Sequence, residues 1–193
     1  MKKINLKIGK NKPSEIDIFV SKLSAKISLI GGVIFSGISL FLPWGEFSIL
    51  NVSISFFHWG LQWYDTPQGT QLQFMPTNFS GMSGSPGLYG YAAATLLVFF
   101  MVPLSLIVLG AGIVAFYKVD KKRSKNALHA AVSAVAAVIL FVVFINLSFL
   151  SNIGELAKLF SWSLGFYLMI AAAILFVIAY GVLRTSYSEA KTM

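Results

Sequence analysis

Long apolar runs separated by short polar breaks make up most of the chain, and the length of those runs decides its class. A helix rises about 1.5 Å per residue, so crossing a hydrocarbon core of about 30 Å takes about 20 apolar residues. Four stretches meet that requirement, at about 27–44, 89–117, 127–150 and 160–183. The first follows Lys22 and Lys26 and closes on Pro43 and Trp44, where a tryptophan suits the aromatic belt of a bilayer. The second has Tyr89 and Tyr117 at its ends and Pro103 inside, where the missing amide predicts a kink. The third and fourth contain no Asp, Glu, Lys or Arg, and His129 lies within one turn of the third run's polar end, where it can snorkel.

Between the first two runs, residues 45–88 change period. Val52, Ile54 and Phe56 alternate with Asn51, Ser53 and Ser55, a strand pattern extending over Phe47 to Trp59. Thr70 to Phe74 alternates again after Asp65, Thr66, Pro67, Gln68 and Gly69, which supply turn residues, so a small antiparallel sheet is expected. Residues 80–90 are rich in glycine and should be an irregular re-entry into the second run. Before the first run, Ile16, Phe19, Val20 and Leu23 fall at helical spacing, with Ser14 and Asp17 as a start signal. That predicts a short amphipathic helix lying on the inner leaflet, inside a basic tail over 1–26.

Composition agrees with the pattern: 56% of residues are hydrophobic and 11% charged, against about a quarter charged in soluble domains. The net charge of +8 is carried unevenly. Lys2, Lys3, Lys7, Lys10, Lys12, Lys22 and Lys26 precede the first run; Lys118, Lys121, Lys122, Arg123 and Lys125 join the second to the third; Arg184 and Lys191 follow the fourth. Only Lys158 falls on the other side, so the basic excess is a topogenic and lipid-headgroup signal rather than a nucleic-acid footprint. The expected fold is an all-α membrane protein, a four-transmembrane-helix bundle over 27–183, with its small sheet in the outer loop 45–88. Both termini are expected in the cytoplasm, with a short tail over 184–193, and the cell membrane is the expected location. The basic stretch before the first run also suggests a cleaved signal peptide, but its length and the lack of a small-x-small site favour a permanent span.

Chemistry narrows the picture by exclusion. With no cysteine there is no disulfide framework, thiolate metal site or cysteine nucleophile. No ionisable residue lies deep in a run, which argues against a proton-coupled pump or a voltage sensor. Glu46, His58 and Asp65 in the outer loop have spacings that match no ligand pattern and read as surface polar groups. Phosphate-loop, dinucleotide and haem-attachment signatures are lacking, so no catalytic residue, cofactor or metal is expected. Small residues recur at packing intervals: Ser28, Gly32 and Ser36; Ala130 and Ala134; Gly165, Ala172 and Ala179. They are expected to pack the four helices on one another, with lipid and either a second copy or another membrane protein as partners. Asn51-Val52-Ser53 and Asn78-Phe79-Ser80 are glycosylation sequons in the outer loop, while Asn146 lies too near the membrane.

The outer loop's most distinctive element is Trp59-Gly60-Leu61-Gln62-Trp63, which follows Pro43-Trp44. With four spans and a large first outer loop, it resembles the claudin and peripheral-myelin-protein family of tetraspan proteins. Gln62 interrupts that family's Gly-Leu-Trp triplet, and the family's two loop cysteines are missing. The resemblance implies that Trp44, Gly60, Leu61 and Trp63 anchor the outer sheet on the bilayer surface and that lateral or cell-to-cell association is the activity. The expected function is therefore a non-enzymatic structural or adhesive component, or an accessory subunit of a membrane complex. Two other readings stand beside it: a small channel or carrier for a neutral or lipid-like solute, with Pro103 as its flexible element, and a headgroup-layer enzyme using Glu46, His58 or Asp65.

Overall fold

The computed structural model describes residues 15–74, 88–119, 125–146 and 154–189, with backbone alone at 15–17, 73–74, 88–98 and 186–189. Four helices dominate: α1 (Glu15–Phe41), α2 (Leu88–Tyr117), α3 (Lys125–Ile145) and α4 (Leu164–Glu189). Each contains a segment long and apolar enough to cross a membrane, at Ile18–Phe41, Phe99–Tyr117, Lys125–Ile145 and Leu164–Thr185. The helices close a ring in which α1 packs on α2 and α4, and α3 packs on the same two.

What faces in and what faces out reverses the rule for soluble bundles. The interior is built of small and aromatic side chains: Ala127, Ala130, Ala134 and Ala137 line the buried stripe of α3, which ends in Phe141 and Phe144. Branched aliphatic side chains point outward, as along α1, where Leu23, Ile27, Ile30, Ile34 and Ile38 form an exposed ridge. Water would penalise that surface, whereas hydrocarbon solvates it and leaves close backbone approach as the source of cohesion. The small residues serve that approach. Gly32 of α1 and Gly112 of α2 both face the Phe176 ring of α4, where an added Cβ would come within 2.7 Å and 2.9 Å of ring carbons. Ser28, Ser36, Ala130, Ala134, Gly165, Ala172 and Ala179 are all buried inside the bundle.

Two helix boundaries differ from those expected. The amphipathic segment around Phe19 is not a separate helix, because α1 runs from Glu15 through Ile27 without a break. The fourth helix does not start at Phe160: Gly154–Leu159 is a 3₁₀ helix and Phe160–Trp162 is a strand, so α4 begins at Leu164. The third helix is described to Ile145, and 147–150 lie outside the described residues. Helix α2 passes through Pro103 and remains one helix.

The sheet has five antiparallel strands in the order β4-β3-β2-β1-β5: β1 (Gly45–Ile49), β2 (Val52–Phe56), β3 (Leu61–Thr66), β4 (Gly69–Phe74) and β5 (Phe160–Trp162). The single strand expected over 47–59 is split by a two-residue turn at Leu50 and Asn51, with Leu50 at φ 51°. Because successive side chains alternate faces, the register makes two rows. Phe160, Phe47, Ile54 and Tyr64 lie across the inner face, and Ser161, Glu46, Ser55, Trp63 and Leu72 across the outer one.

Candidate functional site

The residues singled out in the sequence converge where the sheet meets the helix ends. Trp44 sits there with no exposed surface. Its indole Nε1–H donates to the Ser39 carbonyl at 3.0 Å, and the Ser39 hydroxyl in turn donates to the Gly165 carbonyl at 2.8 Å. The ring stacks on His58 (centroids 4.9 Å apart, 26° between planes) and meets Phe141 and Phe166 edge-on at 5.1 Å and 6.1 Å. Trp162 stacks on Phe166 at 4.4 Å and joins the same cluster.

Backbone bonds lock this junction. The Trp44 amide donates to the Phe56 carbonyl, while the Ser163 and Gly165 amides donate to the Trp44 and Pro43 carbonyls, all at 2.7–3.0 Å. Gly165 is required by the crossing itself. A Cβ there would lie 2.6 Å from Trp44 Cδ1 and 2.7 Å from each of the Leu42 and Pro43 carbonyl oxygens. Both connections at this end of the bundle are thus pinned to each other, and the sheet is held rigidly to α1 and α4.

This placement corrects the expectation for Trp44, which is an internal strut rather than a belt residue touching lipid. The other members of the motif separate. Gly60, at φ 85°, closes the β2–β3 turn by donating to the Phe57 carbonyl at 3.0 Å, and Leu61 is half-buried at the start of β3. Gln62 is buried and accepts a hydrogen bond from the Tyr64 hydroxyl, whose pKa burial raises. Trp63 projects on the opposite face of the sheet, 48% exposed, beside its register partner Leu72 at 60%. Gln62 and Trp63 therefore point to opposite faces of the sheet.

His58 also departs from the surface role expected of it. It is 2% exposed, and burial lowers its pKa from 6.5 to about 4, so the imidazole is neutral near pH 7. Glu46 and Asp65 are exposed on β1 and β3, and no group of three metal-ligating side chains exists among the described residues. Asn51 is exposed at the β1–β2 turn, whereas Asn78 lies outside the described residues.

One pocket adjoins the junction. It has a volume of about 230 Å³ and lies between the end of α1, the β2–β3 turn and the middle of α2. Leu40, Phe41, Val102 and Leu106 give it an apolar wall, and His58, Trp59 and Ser105 are its polar members. The Ser105 hydroxyl is spent on the Met101 carbonyl at 2.9 Å. His58 Nδ1 and Trp59 Nε1 are buried without a hydrogen-bond partner among the described residues. Sequence reasoning missed this pair because its burial depends on Trp44, fourteen residues away; the neighbouring Phe56 and Phe57 were the one local hint. No protein-family model matches the chain, and no curated protein is significantly similar to it.

Proposed function

We propose that this is a multi-pass protein of the cell membrane, with both termini cytoplasmic, that works without catalysis as a structural or adhesive component or an accessory subunit. Its sheet is the association platform. The observation that carries this reading is the paired exposure of Trp63 and Leu72 on the outer face of a sheet whose inner face is fastened to the helix ends. An aromatic and an aliphatic side chain held rigidly side by side lose little entropy on binding, and tryptophan is the residue most enriched at interface hot spots. Strand β4 lies at the edge of the sheet among the described residues, where a partner strand can be added. The sidedness rests on charge: Lys22, Lys26, Lys118, Lys125 and Arg184 flank the bundle at the end away from the sheet, and Lys158 alone lies beside it. The resemblance of the four-span topology and large first outer loop to claudin-type proteins points the same way.

The chain has no cysteine, so single introduced cysteines report without background. A cysteine replacing Asp65, which is exposed on β3, should react with an impermeant maleimide on intact cells, and one replacing Lys121 should react only after lysis. A photo-cross-linking residue at position 72 should then trap a second copy or another membrane protein, with the adduct lost in Trp63→Ala. A strictly monomeric, adduct-free protein, or one that passes solutes when reconstituted in liposomes, would overturn the proposal.

A further inference from the structure

The sheet end of the molecule is charged opposite to the chain as a whole. The protein carries +8, yet no lysine or arginine occurs between Lys26 and Lys118, a stretch that contains Glu46 and Asp65. On the connection between α3 and α4, Glu155 is already paired with Lys158. Glu46 and Asp65 are exposed, and neither makes an ion pair among the described residues.

Both carboxylates lie on the outer face that holds Trp63. Asp65 follows Trp63 by two residues on β3, so the pleat turns both side chains the same way, about 6.6 Å apart along the strand. Its carboxylate accepts a hydrogen bond at 3.4 Å from the hydroxyl of Thr70, its register partner on β4. Across the strands, Trp63 pairs with Ser55 and Ser55 with Glu46. Two strand spacings, about 9.6 Å, therefore separate Trp63 from Glu46, with a serine between them. Ser53, the next outward position of β2, stands beside Asp65. The result is a shallow trough one strand wide, floored by short hydroxyls, with an indole on one side, a carboxylate on the other and Asp65 farther along.

The chemistry of this trough selects its occupant. The face of an indole attracts a cation, and carboxylates attract the same charge. Arginine suits both, because its plane stacks on an aromatic ring while its fork donates to a carboxylate. Lysine presents a compact, strongly hydrated point charge instead. A second copy of this face would bring Glu46 and Asp65 against their own kind, and like charges juxtaposed across an interface are costly.

We infer that the outer face of the sheet receives an arginine from a different protein, its guanidinium stacked on Trp63 and paired with Asp65 or Glu46, with Leu72 as the apolar shoulder. The inference rests on the sheet being the association platform and names the chemistry of its partner. In maltoside micelles, the capped peptide Gly-Gly-Arg-Gly should shift the indole N–H resonance of Trp63, assigned through Trp63→Phe, in a saturable way. Its citrulline counterpart, neutral and of the same shape, should leave that resonance in place, and its lysine counterpart should bind about threefold more weakly. Asp65→Asn and Glu46→Gln should each weaken the arginine response by about threefold, and salt near 1 M should weaken it in the native protein. Absence of a shift, equal responses to arginine and citrulline, or an undiminished response in the double variant would overturn the inference. So would an equal response to phosphocholine, which would assign the face to a lipid headgroup. Trapping from position 72 separates this outcome from failure of the platform: the adduct with another protein should be lost in the double variant. An adduct that persists there, or that contains only a second copy, would leave the platform standing without its arginine, whereas a native protein with no adduct would remove both.

Discussion

At the scale of single residues, the junction makes claims that differ sharply between neighbours of the same type. Gly165→Ala puts a methyl against two carbonyl oxygens that belong to backbone and cannot rotate away, at 2.7 Å each. Overpacking of that kind costs about 1–3 kcal/mol. Gly110→Ala, on α2, meets nothing within 4 Å and removes a flexible residue from a helix, for an expected gain of about 0.5–1 kcal/mol. Thermal denaturation in detergent should move in opposite directions for the two variants; parallel shifts would mean that the crossing of residues 42–44 over α4 is wrong. His58 makes a claim about pH. Its folded pKa of about 4 lies below the free value of 6.5, so between these values the unfolded chain binds the extra proton and unfolding takes it up. The stability from burying neutral imidazole is complete above pH 6.5 and is lost as the pH falls towards 4, by an amount on the order of 3 kcal/mol. The denaturation midpoint should therefore fall between neutral pH and about pH 4.5 in the native protein, and fall less in His58→Phe.

At the scale of elements, what the sequence reveals depends on how local the cause is. The four spans are legible because hydrocarbon excludes charge over about twenty residues at a time, a signal no tertiary contact can hide. Strands β2 and β4 are legible because successive side chains alternate faces, with Ile54 and Phe56 inward and Leu72 outward. Strand β5 is not: Phe160-Ser161-Trp162 adjoins the apolar run of α4, and hydropathy is the same for a residue facing lipid and one facing the core of a sheet. Only the pairing of Gly45, Glu46 and Phe47 with Trp162, Ser161 and Phe160 distinguishes them. Trp44 misleads for the same reason, since a tryptophan closing a span reads as a belt residue until the second connection returns over it. The β5 pairing is checked by placing cysteines at Glu46 and Ser161, register partners that are both exposed. Opposed residues in an antiparallel pair have Cα atoms about 4.5–5.5 Å apart, inside the range a disulfide spans. Mild oxidation should close the pair within one chain, whereas a cysteine at Leu50 with the one at Ser161 should stay reduced. If α4 instead began at Phe160, neither pair would close.

For the whole molecule, the decisive property is the surface, where Ile, Leu, Val and Phe side chains stand exposed along the helices around an alanine-rich interior. Such a surface has two readings with opposite consequences. If water were the solvent, Ile34, which is 50% exposed on α1, would be an ordinary surface residue, and Ile34→Lys would change stability by no more than about 0.5 kcal/mol. If the helices lie in a bilayer, the same lysine must enter hydrocarbon within the Ile18–Phe41 segment, at a cost of about 2.5–3.5 kcal/mol near its centre. Val177, 53% exposed on α4, makes the same claim for a second helix. Each substitution should cut the fraction of protein resisting alkaline extraction from membranes, and the double variant should cut it by about the sum of the two free energies. Lysine at Thr185, exposed at the basic end of α4, is the control and should integrate like the native chain. Full integration of both Ile34→Lys and Val177→Lys would place these faces in water or against another protein, and the lipid-facing surface would have to be sought elsewhere on the bundle.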